Sequence, residues 1–86
     1  MTDTVALALT LRWAAKDIIG QAEFNESYGV DESETRSVVL HMNVLADYLE
    51  GSSLWTAKEV AESKAEVLSS WQVPQDIRDT VEALNA

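Results

Sequence analysis

Residues that interrupt helices are scarce in this chain, and their scarcity limits the folds open to it. The 86 residues include only three glycines and one proline, whereas folds made of many short strands need turn residues at short intervals. Hydrophobic residues make up 47% of the sequence, which is enough apolar surface to offset the entropy lost on folding. A chain of this length forms one core. We therefore predict a single helical domain over residues 1–86, built as a small all-α four-helix bundle.

The first predicted helix covers about residues 4–23 and carries apolar residues on two of its faces. One row has a helical period and consists of Leu7, Leu11, Ala14, Ala15, Ile18 and Ala22. The second row consists of Val5, Leu9 and Trp13. A helix that is apolar over so much of its circumference is either central to the fold or buried against a second copy. We therefore expect a homodimer through this helix, with Trp13 at the interface.

The second helix is predicted over about residues 32–50. Asp31 and Glu34 have the spacing of a capping box, and Gly51 is a suitable residue just beyond the end of a helix. The apolar stripe of this helix consists of Val38, Met42, Leu45 and Leu49. Asp47 is off that stripe, so we expect its side chain to face outward.

Local capping signals predict the third helix, over about residues 57–71. Thr56 at the N-cap and Glu59 three residues later form a capping box, and Trp55 and Val60 occupy the positions of a hydrophobic staple. The expected core stripe consists of Ala57, Val60, Ala61, Leu68 and Trp71. We expect Trp55 and Trp71 to belong to the core.

The fourth helix is predicted over about residues 74–84, because Pro74 suits the first helical position. Its apolar edge consists of Val73, Ile77, Val81 and Leu84. Neither a repeat nor a linker separates the four helices, so short turns join them.

The charge of the chain predicts what kind of partner it binds. Its formal net charge is −9, whereas a protein that grips phosphates carries a basic face. Direct nucleic-acid binding is therefore not expected. The segment TAKEVAESKAEV opens like an excisionase-like helix-turn-helix, but no basic recognition helix follows it. We expect instead a protein partner with a basic surface.

The acidic residues concentrate in two places. Residues 23–35 contain five acids and no base, namely Glu23, Glu26, Asp31, Glu32 and Glu34. A second row lies on one face of the third helix and consists of Glu59, Glu62 and Glu66. Acids of the first group also suit a solvated connector and the start of a helix. The second row rises in steps of about 4.5 and 6 Å, loosely comparable with the charge spacing of about 3.4 Å along a nucleic-acid strand. Both groups are candidate partner-binding residues.

The residues that support catalysis or metal binding are few. Cysteine is absent and histidine occurs once, so thiol chemistry and multi-histidine metal sites are excluded. His41, the one conventional general base, is next to an apolar stripe and suits a half-buried structural histidine. No glycine-rich phosphate loop occurs. We therefore expect no enzyme, no metal and no cofactor.

The start of the sequence predicts a cytoplasmic protein. Asp3 occupies a place where a secretory signal carries positive charge. Arg12 and Lys16 interrupt the apolar run too early for a membrane span, which needs about 20 apolar residues. We expect no association with a membrane.

The segment Gly51-Ser52-Ser53-Leu54 resembles the turn that carries the phosphopantetheine arm in acyl and peptidyl carrier proteins. Those proteins are small, acidic helical bundles, and their modified serine lies in a Gly-x-Asp-Ser-Leu-type turn just before a helix. The resemblance implies that Ser53 takes the arm. Ser52, however, occupies a place where Asp or His is usual, and the capping residues start the helix near Thr56. A capped helix start is therefore the preferred interpretation of this segment.

We hypothesise a non-enzymatic interaction module that occupies the basic surface of a partner protein. One concrete form is a small acidic inhibitor, encoded by a phage, that mimics nucleic acid and blocks a nucleic-acid-binding surface. One alternative is a carrier-like protein modified at Ser53. Another is a purely structural subunit, whose binding depends on apolar faces and tolerates salt.

Overall fold

The computed structural model describes residues 4–21 and 32–84, and these two ranges contain four α-helices, of which short turns join the second to the third and the third to the fourth. The helices are α1 (Thr4–Gly20), α2 (Glu32–Leu49), α3 (Ala57–Ser69) and α4 (Gln75–Glu82). Helix α1 packs against α2, α2 against α3, and α3 against α4. The predicted all-α four-helix bundle is confirmed.

A shared apolar core holds the four helices together. The buried hydrophobic side chains of the described residues are Ala8, Leu11, Ala15, Ile18, Val38, Val39, Met42, Val44, Leu45, Ala46, Val60, Val67, Val73, Ile77 and Val81. The predicted stripe of α2 is confirmed, because Val38, Met42 and Leu45 are buried and Leu49 packs against them. Truncating a side chain as deeply buried as Met42 to alanine costs about 2–5 kcal/mol.

The ends of α1 and α4 differ slightly from the predicted ends. Helix α1 ends at Gly20, and the Gln21 amide donates to the Asp17 and Ile18 carbonyls at 3.1 and 3.2 Å. Residues 22 and 23, which were predicted to continue it, lie outside the described residues. Pro74 is the N-cap of α4 rather than its first helical residue, and α4 ends at Glu82.

Helix α2 ends in a Schellman motif at the predicted glycine. The Ser52 amide donates to the Asp47 carbonyl at 3.0 Å, and the Gly51 amide donates to the Tyr48 carbonyl at 3.1 Å. Gly51 has φ of +87°, a conformation that strains every residue with a Cβ. This turn reverses the chain and directs the next segment back along α2.

Helix α3 begins at the predicted capping box. The Thr56 hydroxyl accepts from the Glu59 amide at 3.1 Å, and the Glu59 carboxylate accepts from the Thr56 amide at 3.3 Å. Two amides at the helix start thus receive partners that the helix itself does not supply. Trp55, just before the cap, packs against the core as expected.

The predicted core stripe of α3 is confirmed at Val60, which is buried, and at Leu68, which packs against the core, but not at its other positions. Val60, Ser63 and Val67 are buried, whereas Ala57 and Ala61 are exposed. These buried positions also have helical spacing, but the polar Ser63 conceals the pattern in the sequence.

Trp71 is exposed rather than part of the core, with 64% of its surface accessible. Helix α3 ends at Ser69, and Ser70 adopts an extended conformation with φ −85° and ψ 124°. The chain therefore leaves the helical path before Trp71. Val73, two residues further on, enters the core in its place.

Arg12 forms a polar network that links α1 to the end of α2. Its guanidinium donates to the Glu50 carboxylate through Nε at 2.9 Å and Nη2 at 3.0 Å. It also donates to Asp47 at 2.6 Å and to Asn43 at 3.3 Å. The Trp55 indole donates to the second Asp47 oxygen at 3.1 Å. The expectation that Asp47 faces outward is therefore wrong, because Arg12 of α1 and Trp55 of the turn after α2 both bind its carboxylate.

These contacts shift the proton equilibria of the three ionised groups. The hydrogen bonds from Arg12, and then that from Trp55, hold the pKa of Asp47 below its usual range. Arg12 likewise lowers the pKa of Glu50, and the two carboxylates raise the pKa of Arg12. All three groups therefore stay charged at neutral pH.

We expect Thr56→Ala to lower the free energy of unfolding by about 1 kcal/mol, because the N-cap hydroxyl is lost. Urea denaturation followed by circular dichroism measures this change. Thr56→Ser keeps the hydroxyl and is the matched control, expected to remain close to wild type. Equal losses in the two variants would contradict the assignment of the stability to the cap.

We expect Arg12→Met to lower the free energy of unfolding at neutral pH by about 1 kcal/mol. The loss should vanish on acidification. A carboxylate whose pKa is lowered by folding contributes stability above its unfolded pKa, about 4, and loses that contribution as the pH falls further. Denaturation of both proteins across this pH range measures the difference.

Arg36→Met is the control for this variant. Arg36 pairs with Glu32 at 2.7 Å within one exposed helix turn, an interaction of about 0.2–0.5 kcal/mol. A loss for Arg12→Met no larger than that for Arg36→Met would show that the network adds nothing to an ordinary surface pair.

Candidate protein-binding surface

The acidic residues of the first predicted group fall partly outside the described residues. Glu23, Glu26 and Asp31 belong to the range 22–31, which the structure does not describe. Glu32 and Glu34 are exposed in the first turn of α2. Carboxylates at this position interact favourably with the amino-terminal end of the helix dipole.

The second group lies on α3, and the structure brings it beside Glu34. Glu59, Glu62 and Glu66 are all exposed. Glu66 and Glu34 line the same groove between α3 and the start of α2. Glu59 and Glu62 line a second groove, between the beginning of α3 and the middle of α2. Carboxylates from two separate segments of sequence therefore follow the junction of these two helices.

Two exposed apolar side chains lie among these carboxylates. Leu40 is 55% exposed in the groove with Glu59 and Glu62, and Trp71 is 64% exposed in the groove with Glu34 and Glu66. We use the name acidic face for the surface formed by Glu34, Leu40, Glu59, Glu62, Glu66 and Trp71. Exposed aromatic residues supply much of the binding energy at protein interfaces, and carboxylates around such a residue favour a partner with a basic surface.

Hydrogen bonds hold the two helices of the acidic face in position. His41 Nδ1 lies 2.9 Å from the hydroxyl of the buried Ser63, which joins α2 to α3. The half-buried structural place expected for His41 agrees with this contact. At the other end, the Thr35 hydroxyl donates to the Gln72 side-chain oxygen at 3.1 Å and anchors the turn that carries Trp71.

The basic residue at the centre of α3 is directed away from the acidic face. Lys64 Nζ donates to the Leu84 carbonyl beyond the end of α4, at 2.6 Å. Arg36, on α2, pairs with Glu32. These two contacts leave the carboxylates of Glu62 and Glu66 without neutralisation by Lys64 or Arg36.

Trp13 is exposed, as expected of an interface residue, but it is not part of the acidic face. It lies on α1 with 66% of its surface accessible. The grooves that contain the acidic face are lined by residues of α2, α3 and their flanking turns. The predicted partner-binding residues therefore divide between two separate surfaces.

Sequence reasoning missed Leu40 and misplaced Trp71. The helical period of α2 could have predicted that Leu40 is exposed, because Leu40 lies off the buried stripe of Val38, Met42 and Leu45. To place Trp71 on the surface, one must know where α3 ends, and this end depends on the backbone conformation of Ser70.

Ser53, the residue of the carrier-protein resemblance, is exposed in the turn between α2 and α3. The N-cap of α3 is Thr56, three residues later. The Leu54 amide donates to the Ser52 hydroxyl at 3.2 Å, which closes a local turn. The modified serine of a carrier protein lies directly before its helix, so the geometry here agrees better with a structural turn.

Within residues 4–21 and 32–84, no three acidic or imidazole side chains converge as metal ligands. In the same ranges, none of the helices combines the length and the apolar character needed to cross a bilayer.

Comparisons with other proteins add no family to these observations: no family model, curated protein or solved structure gives a significant match to the chain.

We expect no mass gain when the protein is incubated with coenzyme A and a broad-specificity phosphopantetheinyl transferase, because Ser53 precedes the N-cap of α3 by three residues, whereas a carrier serine lies directly before its helix. Intact-protein mass spectrometry measures the outcome. A phosphopantetheine adduct on wild type that disappears in Ser53→Ala would instead establish the carrier alternative.

Proposed function

We propose that this protein is a non-enzymatic, cytoplasmic interaction module whose acidic face binds a basic surface of a partner protein. The observation that carries the proposal is the convergence of Glu34 with the carboxylates of α3 around exposed Leu40 and Trp71. Carboxylates supply electrostatic steering toward a basic surface, and the apolar groups supply contact area once the two proteins meet.

A nucleic-acid-binding protein is the class of partner that fits this face best. Such proteins expose lysine and arginine side chains that neutralise phosphates. A helix that presents Glu59, Glu62 and Glu66 on its exposed surface offers those cations carboxylates in place of phosphates. Binding would then inhibit the partner by occupying its nucleic-acid site. On this proposal the protein is a small acidic inhibitor.

The residues of the described helices also favour binding over catalysis. His41 Nδ1 lies 2.9 Å from the hydroxyl of the buried Ser63. Ser63 lies in the middle of α3, where the backbone amides are used by the hydrogen bonds of the helix itself. Acyl transfer through a serine nucleophile needs free amides to stabilise the oxyanion. The His41–Ser63 pair therefore serves the packing of α2 and α3.

Charge reversal on the acidic face tests the proposal. We expect Glu62→Lys combined with Glu66→Lys to weaken partner binding by about tenfold or more, because two attractive contacts become repulsive. Affinity capture with immobilised wild type and variant identifies the partner by mass spectrometry, and titration calorimetry with the purified partner gives the affinity. Binding should also weaken at high salt.

The control variant is Asp79→Lys combined with Glu82→Lys. These two acids are exposed on α4, away from the grooves of the acidic face, and each double variant changes the formal charge from −9 by the same amount. Retained binding in this control, with loss in the Glu62 and Glu66 variant, would support the acidic face. Equal loss of binding in both double variants would show that the interaction depends only on the net charge of the chain. Binding that is unchanged by salt and by both double variants would indicate the structural-subunit alternative.

A further inference from the structure

Helix α1 presents a row of large apolar side chains on the side opposite to its buried stripe. Val5, Leu9 and Trp13 are 67%, 55% and 66% exposed, and they follow one another at intervals of four residues. We call this row the α1 crest. Its exposure follows from the two-sided apolar pattern of α1, because the core accepts only the side with Ala8, Leu11, Ala15 and Ile18.

Grooves run along both sides of the α1 crest, and Trp13 lines each of them. One groove separates α1 from the start of α4 and is also lined by Leu9, Pro74 and Ile77. The other separates α1 from α2 and is also lined by Ile19. A ridge with a groove beside it is complementary to a second copy of itself, since each ridge can enter the groove of the other about a twofold axis.

The distribution of charge favours this helix as the contact between two copies of an acidic chain. Arg12 and Lys16 against Asp17 give α1 a formal charge of +1, whereas the formal charges of α2, α3 and α4 are −2, −1 and −2. Two chains of charge −9 repel one another, so they approach best through the surface without acidic excess. Arg12 is bound to Asp47 and Glu50. The other charged residues of the two grooves are Lys16 and Asp17 of α1, of opposite sign, and Asp76 of α4.

We propose that a second copy of the chain covers the α1 crest, with the two α1 helices packed about a twofold axis and Trp13 as the principal anchor. A stable interface buries about 800 Å² on each partner, more than three side chains supply. The contact therefore extends over the walls of both grooves. None of the six residues of the acidic face lines either of these grooves, so the acidic face stays accessible in this dimer. Each dimer thereby presents two acidic faces, which allows bivalent binding.

Sedimentation equilibrium of the intact chain tests the dimer, with Trp13→Glu as the disrupting variant. Wild type should show a monomer–dimer equilibrium, and Trp13→Glu should raise the dissociation constant at least about 30-fold, the effect of losing one interface hot spot. Trp71→Glu is the matched control, because Trp71 is equally exposed, at 64%, outside α1. It introduces the same charge and should leave the dissociation constant unchanged.

Salt and a second variant complete the test. Raising the salt concentration should tighten the dimer, because it screens the repulsion between the chains and leaves apolar contact intact. Leu9→Lys should weaken the dimer as Trp13→Glu does, and circular dichroism should show native helix content in both variants, since both side chains are exposed. A wild type that stays monomeric at high salt and high concentration would overturn the proposal, as would equal weakening by Trp13→Glu and Trp71→Glu.

Discussion

The contact of Arg12 with the end of α2 joins three elements of the bundle at one place on its surface. Asp47 and Glu50 place two negative charges at the carboxyl-terminal end of α2, where the helix dipole is also negative. Arg12, from α1, offsets this charge with hydrogen bonds of 2.6–3.0 Å. Asp47 in turn receives the Trp55 indole, so a single carboxylate connects α1, α2 and the turn that leads into α3. The direction in which α3 leaves α2 follows from these contacts and from the Schellman turn at Gly51.

This arrangement produces two separate surfaces of different chemistry, one at the junction of α2 and α3 and one on α1. The junction of α2 and α3 collects carboxylates around Leu40 and Trp71. Helix α1 instead carries no acidic excess and exposes Leu9 and Trp13. Acidic groups give salt-dependent attraction to a basic partner, whereas apolar groups give association that salt does not weaken. The two proposals therefore place self-association and partner binding on different surfaces of the chain.

The two tryptophans that flank α3 show how the ends of a helix determine which side chains reach the surface. Trp55 precedes the N-cap of α3 and packs against the core, while Trp71 follows the end of α3 and remains accessible. A shift of the helix end by two residues would place Trp71 within α3. The backbone of Ser70, extended at φ −85° and ψ 124°, thus determines whether Trp71 belongs to the acidic face.

The sequence by itself determined the four helices, the capping box at Thr56, the glycine turn at Gly51 and the core stripe of α2. Each depends on residues within about one or two helix turns of one another, where periodicity and capping act. Only the tertiary structure decided that Asp47 binds Arg12, that Ser63 rather than Ala61 enters the core, and that Glu34 lies beside Glu66. These outcomes depend on side chains that meet across 22 to 38 positions of sequence, and no local pattern encodes which of them meet. The packing of α2 between its neighbours provides that information.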